Sequence, residues 1–383
     1  MCLGNTTFDI RLRPLRLDMQ NFKRSPAVMV ACGDFVTMVL TAGGLVWNCG
    51  LGDSGELGHN DFDSKFTLTL MDPTRRFHDA RIEMIAAGDC HAMALDTSAQ
   101  LWTWGSNQYG QLCHNKGLTG MNAFGQVICS RSAEPVLLSV ETFKRSAVVS
   151  MDGGKQFTMV VTADGVLWAC GYGKNGQLGT GRRENINIAW RVGDSKLFGK
   201  MGVKMAVCGN YHSLILTKNN QVFSCGQGQY ANVGCDVKKG HVMDLLWPTL
   251  IHPEYFDNQM ISTAAVGAQH SAVVTEEGRV NMLGMLVDRE GLPDRRLFDH
   301  NLSQDGVEQG MTMELKFRLV PDDLLNGAHI GRRHFMYREH IIILAMALHC
   351  RLGANSIYNG LSQDLFKSII DCLRFNPGSS VCA

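Results

Sequence analysis

The chain has 383 residues, enough for two or three domains at roughly 100–200 residues each, and its 36 Lys and Arg balance 36 Asp and Glu. A net charge of zero excludes a strong nonspecific grip on nucleic acid or an anionic membrane surface, which draws on many uncompensated cations. No apolar run is long enough for a membrane-spanning helix, and no apolar stretch of a secretory signal follows the first basic residues.

Residues 1–9 read as an N-terminal extension. Residues 10–17 contain Arg11-Leu12-Arg13-Pro14-Leu15-Arg16-Leu17, which predicts an outer β-strand with no inner strands before it. One phrase then recurs. Gly33 and Gly50, Gly88 and Gly105, Gly154 and Gly171, Gly209 and Gly226, and Gly267 and Gly284 are five pairs with a separation of 17. Phe22, Phe77, Phe143, Phe198 and Phe256 each stand 11 residues before the first glycine of a pair. Successive copies step by 55, 66, 55 and 58 residues. Fixed spacing inside the unit and elastic spacing between units is the mark of stacked repeats, none of which buries its apolar face alone.

The third copy shows what one unit is. Ala147–Met151 is a short strand, Thr158–Thr162 a second, and Val166–Cys170 a third, with Ala163-Asp164-Gly165 as a tight hairpin between the last two. Outer runs beside proline follow the Gly-rich loops: Glu134-Pro135-Val136-Leu137, Trp247-Pro248-Thr249-Leu250 and Leu319-Val320-Pro321. Proline cannot donate to a ladder, so these are edge strands. Four antiparallel strands with an exposed fourth make the blade of a β-propeller. If Gly88 or Gly209 sits at positive φ, a valine there costs roughly 1–3 kcal/mol in backbone strain.

Long inserts occupy residues 115–131 and 285–314, and the second carries Asp288, Arg289, Arg295 and Arg296 as candidate partner contacts. Ala328–His334 restarts the motif without a third strand, so strand 10–17 is expected to close the ring there. That gives five full blades and one composite blade, six in all, within a propeller spanning residues 10–339. The tail, 340–383, predicts two helices, with Leu361, Leu365, Phe366, Ile369 and Leu373 on one stripe.

Gly88–His91 with Leu101-Trp102-Thr103-Trp104-Gly105, the turns Gly55-Glu56-Leu57-Gly58, Gly110-Gln111-Leu112 and Gly176-Gln177-Leu178-Gly179, and Gly209–His212 and Gly267–His270 carry a resemblance. The chain resembles the regulator of chromosome condensation repeat family over roughly residues 10–335. The resemblance implies an all-β propeller, usually of seven blades. It also implies a possible partner, since the founding member exchanges guanine nucleotide on a Ran-like small GTPase. The motif decays at Ala231-Asn232-Val233-Gly234 and after Gly284.

Other patterns are absorbed by the repeat. Gly171-Tyr172-Gly173-Lys174-Asn175-Gly176 matches a dinucleotide fingerprint but recurs at repeat spacing before a Gln-Leu-Gly turn, so no cofactor is expected. His91, His212, His270 and His334 hold one position, but Val36 and Phe157 fill it in the other copies, so no metal ring is expected. Their expected role is a hydrogen bond to a loop carbonyl that locks the first hairpin. Trp47, Trp102, Trp104 and Trp168 on third strands and Trp190 and Trp247 on fourth strands are read as packing residues. The Gly-Trp-Arg-His-Thr signature of photoreceptive family members is absent.

Thirteen cysteines form no C-x-x-C, and Cys32, Cys49, Cys170, Cys208 and Cys225 directly precede repeat glycines. They read as buried thiols in a reducing compartment, cytoplasm first, with nucleus or an organelle as alternatives. No nucleophile triad, paired carboxylate or phosphate loop stands in a recognisable context, so no enzyme is expected. The expected function is a non-enzymatic scaffold that binds other proteins through propeller loops and the C-terminal helices, as a subunit of a larger assembly. The alternatives are nucleotide exchange on a Ran-like GTPase and substrate adaptation in ubiquitin ligation, the last from a faint F-box likeness at 361–373.

Overall fold

A computed structural model describes residues 22–114, 131–228, 233, 244–284 and 318–319. Twenty strands fall into five four-stranded antiparallel sheets in chain order. The first blade is β1 (Ala27–Cys32), β2 (Val36–Thr41), β3 (Val46–Gly50) and β4 (Lys65–Leu70), and the second is β5 (Ile82–Ala87), β6 (His91–Asp96), β7 (Leu101–Ser106) and β8 (Arg131–Leu137). The third is β9 (Val148–Gly153), β10 (Phe157–Thr162), β11 (Leu167–Gly171) and β12 (Ile186–Val192). The fourth is β13 (Val203–Cys208), β14 (His212–Thr217), β15 (Val222–Gly226) and β16 (Leu245–Leu250). The fifth is β17 (Ile261–Val266), β18 (His270–Thr275), β19 (Val280–Gly284) and β20 (Arg318–Leu319).

The register explains the fixed glycine spacing. In every blade the second strand's first residue pairs with the second repeat glycine: Val36 with Gly50, His91 with Gly105, Phe157 with Gly171, His212 with Gly226 and His270 with Gly284. Five paired positions on each strand and a tight turn between them fill the interval, so a single insertion there would flip every side chain to the wrong face. Pro135 and Pro248 lie in the outer strands β8 and β16, where no fifth strand needs their missing N–H.

Neighbouring blades meet through their first and second strands, β2 on β5, β6 on β9, β10 on β13 and β14 on β17. Apolar burial follows those junctions. Four clusters of buried residues each straddle two adjacent blades, so the core is a series of layers between sheets. Short turns of helix bring the repeat phenylalanines into these layers. In α1 (Pro73–Phe77) the Asp72 carboxylate caps the N–H groups of Thr74 and Arg75, and Phe77 ends buried. Its ring meets Trp102 edge-on at 5.6 Å. Phe22 meets Trp47, Phe143 meets Trp168 and Phe198 meets Phe223 in the same way.

Several expectations are revised. Among the described residues the structure shows five blades, where the repeat count gave six and the family pattern seven. The residues of the composite blade, 10–17 and 328–334, lie outside the described residues, as do the extension 1–9, the tail 340–383 and residues 115–130 and 285–314 of the two inserts. Trp102, Trp104 and Trp168 are buried, but Trp190 is 43% and Trp247 58% exposed, so these two are surface rings. Finally, the cysteines are not all thiols. Cys113 and Cys170 form a disulfide between blades 2 and 3, at odds with a uniformly reduced set.

Candidate interaction face

The first repeat glycines line the blade junctions. A methyl group on Gly33 would strike the carbonyl of Gly88, one on Gly88 that of Gly154, one on Gly154 that of Gly209, and one on Gly209 that of Gly267. None of Gly33, Gly88, Gly154 and Gly209 is at positive φ. The expected backbone strain at Gly88 and Gly209 is therefore replaced by a steric requirement: only a residue without Cβ lets one blade's turn rest on the next. Positive φ belongs to the second glycines, such as Gly105 at 99° and Gly171 at 107°.

The repeat histidines also differ from expectation in their partners. His91 Nε2 lies 2.9 Å from the Thr158 hydroxyl, and His212 Nε2 lies 2.9 Å from the Ser271 hydroxyl. Both bonds reach the following blade instead of a carbonyl of the same hairpin. Thr158 in turn donates to the Gln111 carbonyl at 2.8 Å, which joins the chain of bonds to the Gly-Gln-Leu turn. Burial pushes the His212 imidazole down to about 3, with His270 a lesser cause, so it stays neutral. His270 is only half-buried, and His334 lies outside the described residues. Among the described residues, no three His, Cys, Asp or Glu side chains gather in a metal-binding cluster.

With the junctions accounted for, the residues just after the first glycines remain. Asp34, Asp89, Lys155 and Asn210 follow Gly33, Gly88, Gly154 and Gly209. Their turns sit beside the segments that leave the third strands, because Ser106 N–H donates to Cys90 O and Tyr172 N–H to Gln156 O, both at 2.8 Å. This places Tyr109, Tyr172 and Tyr211 on the same end of the blades. Tyr109 and Tyr172 meet edge-on at 5.1 Å, Tyr172 and Tyr211 at 6.3 Å, and the Lys155 ammonium lies 5.6 Å from the Tyr211 ring. An arc of half-buried Asp34, Tyr109, Lys155, Tyr172 and Tyr211 with buried Asp89 thus runs over blades 1 to 4.

The electrostatics of this arc favour recognition over chemistry. Burial lowers the Lys155 ammonium, but Tyr211, Asp89 and Asp34 outweigh it and hold the group above its ordinary value. The Cys90 thiol, in the same turn as Asp89, is pushed up to about 12 by burial and then by Glu56, Asp89 and Asp34. A thiol held there carries almost no thiolate at neutral pH and is no nucleophile. Burial likewise raises the Tyr172 phenol.

Sequence reasoning marked the repeat glycines as strand ends and the histidines as locks within a hairpin; the structure brings Gly33, Gly88, Gly154 and Gly209, with His91 and His212, to the junctions between blades, and keeps the second glycines within their own blades. Sequence reasoning missed the tyrosine arc. The available signal was the polar residue after four of the five first glycines and the tyrosine at or near the head of a loop, both free of the blade's apolar pattern. Asp288, Arg289, Arg295 and Arg296 lie outside the described residues.

Comparison with known proteins agrees with this architecture. The chain is 28% identical over 273 residues to the ultraviolet-B receptor UVR8 of Arabidopsis thaliana, covering 71% of this chain and 56% of UVR8. It is 25% identical over 328 residues to the guanine nucleotide exchange factor SRM1 of Saccharomyces cerevisiae, covering 77% of this chain and 64% of SRM1. It therefore spans less than two thirds of either relative. Among solved structures, human WBSCR16 superposes with a TM-score of 0.63 at 19% identity, over 85% of this chain and 72% of that one, a likeness of fold. The sequence profile of the RCC1-like domain matches residues 2–312, and the chain belongs to the RCC1-like domain family.

Proposed function

We propose that the chain is a non-enzymatic protein-interaction scaffold and that the tyrosine and Lys155 arc is its binding face. The observation that supports this most is the contrast between the arc and its base. Beneath it, glycines, histidines and turn carbonyls lock blade to blade, while the arc itself holds half-buried Tyr109, Tyr172, Tyr211 and Lys155. Tyrosines fixed by a rigid base supply contact area at small entropic cost, which is how protein interfaces gain their strongest contacts. Asp34 and Asp89 beside Lys155 add charge of both signs and so suit a polar partner surface.

The test is affinity recovery from native extract with the full chain, followed by crosslinking. Crosslinks are expected at Lys155. Tyr172→Ala combined with Lys155→Glu should cut recovery of the crosslinked partner at least ~10-fold at unchanged Tm. Trp190→Ser on the outer strand should leave recovery intact. Undiminished recovery by the double variant would move the binding face elsewhere.

The likeness to SRM1 favours a second reading, nucleotide exchange on a small GTPase. Release of labelled GDP from a Ran-like GTPase separates the two. Acceleration by orders of magnitude in the presence of the chain supports exchange, and a flat trace leaves the scaffold. Substrate adaptation in ubiquitin ligation rests on residues 361–373, outside the described residues.

A further inference from the structure

The disulfide occupies a junction that the repeat builds elsewhere without sulfur chemistry. The turn Gly-x-Leu-Gly ends in left-handed backbone, with Gly58 at φ 67° and Gly179 at φ 65°. Opposite each ending is the residue directly before the next blade's second repeat glycine. The Trp104 indole packs on Gly58, and Cys225 Sγ lies 3.2 Å from where a Cβ on Gly179 would stand. Between blades 2 and 3 the turn reads Gly-Gln-Leu-Cys instead. Cys113 takes the glycine's place at φ 57°, a conformation that disfavours any side chain, and bonds to Cys170. Glycine serves this position at the two neighbouring junctions, so neither packing nor backbone geometry calls for cysteine here.

Two further observations concern the opened state. Cys170 Sγ lies 3.4 Å from the Gln111 carbonyl oxygen, and at the next junction the Cys225 thiol donates to the Gln177 carbonyl at the same 3.4 Å. A reduced Cys170 thus has a ready acceptor, and blades 3 and 4 already show that arrangement in a folded junction. Access is one-sided. Cys113, 4% exposed, lines the wall of a groove of about 530 Å³ between the outer parts of blades 2 and 3, with Gln100, His114, Leu138, Val140 and Ile188, whereas Cys170 is fully buried and outside it.

We propose that Cys113–Cys170 is a reversible thiol-exchange site, opened by a small thiol entering this groove. The thiolate of the small thiol attacks Cys113 Sγ, and a new S–S bond forms as the Cys113–Cys170 bond breaks. The departing Cys170 thiolate takes a proton from solvent, and the resulting S–H donates a hydrogen bond to Gln111 O. A second molecule of the thiol resolves the mixed disulfide, which leaves Cys113 as a thiol and releases the small-molecule disulfide. Two electrons pass from two small thiols to the protein. The fold persists throughout, because glycine-to-thiol contact already suffices at the next junction.

The test uses the full chain purified without reductant. Under denaturing, non-reducing alkylation, Cys113 and Cys170 should both be protected. Glutathione added to the folded protein should give an adduct that maps to Cys113 and not to Cys170, with Tm lowered by a few degrees and restored by oxidised glutathione. Cys113→Gly, which restores the repeat residue, should fold with the Tm of the reduced protein and ignore glutathione. Cys170→Ala provides a second variant with the same expected insensitivity. Full alkylation of both cysteines before reduction would overturn the proposal. So would a bridge that opens only after the protein unfolds, or an adduct confined to Cys170.

Discussion

At Gly88 a methyl group would meet two obstacles at once, the carbonyl of Gly154 in the next blade and the ring of His91 in its own. The imidazole is itself held by Thr158, so neither obstacle yields easily. Gly88→Ala should therefore cost about 1–3 kcal/mol in urea unfolding, by overpacking. His91→Ala in the same chain should recover part of that loss. No recovery would show that the carbonyl alone sets the requirement. Histidine has its own consequence at His212, which is buried and pushed down to about 3. In the unfolded chain the same imidazole takes up a proton below roughly pH 6.5. Stability from this residue is thus complete above that pH and falls as the pH drops, by roughly 1.4 kcal/mol per unit toward pH 3. Between pH 7 and pH 5 the wild type should lose about 2 kcal/mol more than His212→Gln does. Equal losses would mean that the imidazole titrates normally in the fold.

At the scale of an element, the repeat turn Gly-x-Leu-Gly does two tasks. Its leucine is buried, as Leu57, Leu112 and Leu178 show, and the residue before it offers a carbonyl to the next blade. Trp104 Nε1–H donates to Glu56 O at 2.9 Å, and Thr158 and Ser213 hydroxyls reach Gln111 O and Gln177 O. The degraded copy keeps the first task, since Val233 is buried at the leucine position and Ser224 of the same blade donates to its carbonyl as Thr103 does to Leu112 O. Trp104→Phe retains the ring against Phe77 but leaves the Glu56 carbonyl without that donor. It should cost about 1–2 kcal/mol in chemical denaturation, and a neutral result would argue that water replaces the donor. The turn was legible in the sequence as punctuation, because glycine spacing records where the chain must bend. Its partners were not, because Trp104 and Glu56 stand 48 residues apart and no local pattern pairs them. The hairpin strands and the phenylalanine turns were legible for the opposite reason. Their partners lie within one repeat, so apolar alternation and fixed intervals describe them fully.

At the scale of the whole molecule, the described blades follow chain order, and each junction between them joins neighbours in sequence. That made the architecture readable from the repeat, while the disulfide stayed hidden behind a single departure from it, the cysteine of Gly-Gln-Leu-Cys. The tyrosine arc was hidden because three blades each supply one ring and none is unusual alone. Nearest-neighbour coupling predicts how damage combines. His91 with Thr158 joins blades 2 and 3, and His212 with Ser271 joins blades 4 and 5, with no shared partner. Losses from Thr158→Val and Ser271→Ala should add within about 0.5 kcal/mol, as they do for independent sites. His212→Ala with Ser271→Ala removes both ends of one bond, so the second change finds little left to break. That pair should fall short of additivity by about 0.5–3 kcal/mol. Strong coupling between the distant pair would mean that strain passes through blade 3 as a rigid body. Additivity within the His212 and Ser271 pair would mean that the bond between them contributes nothing.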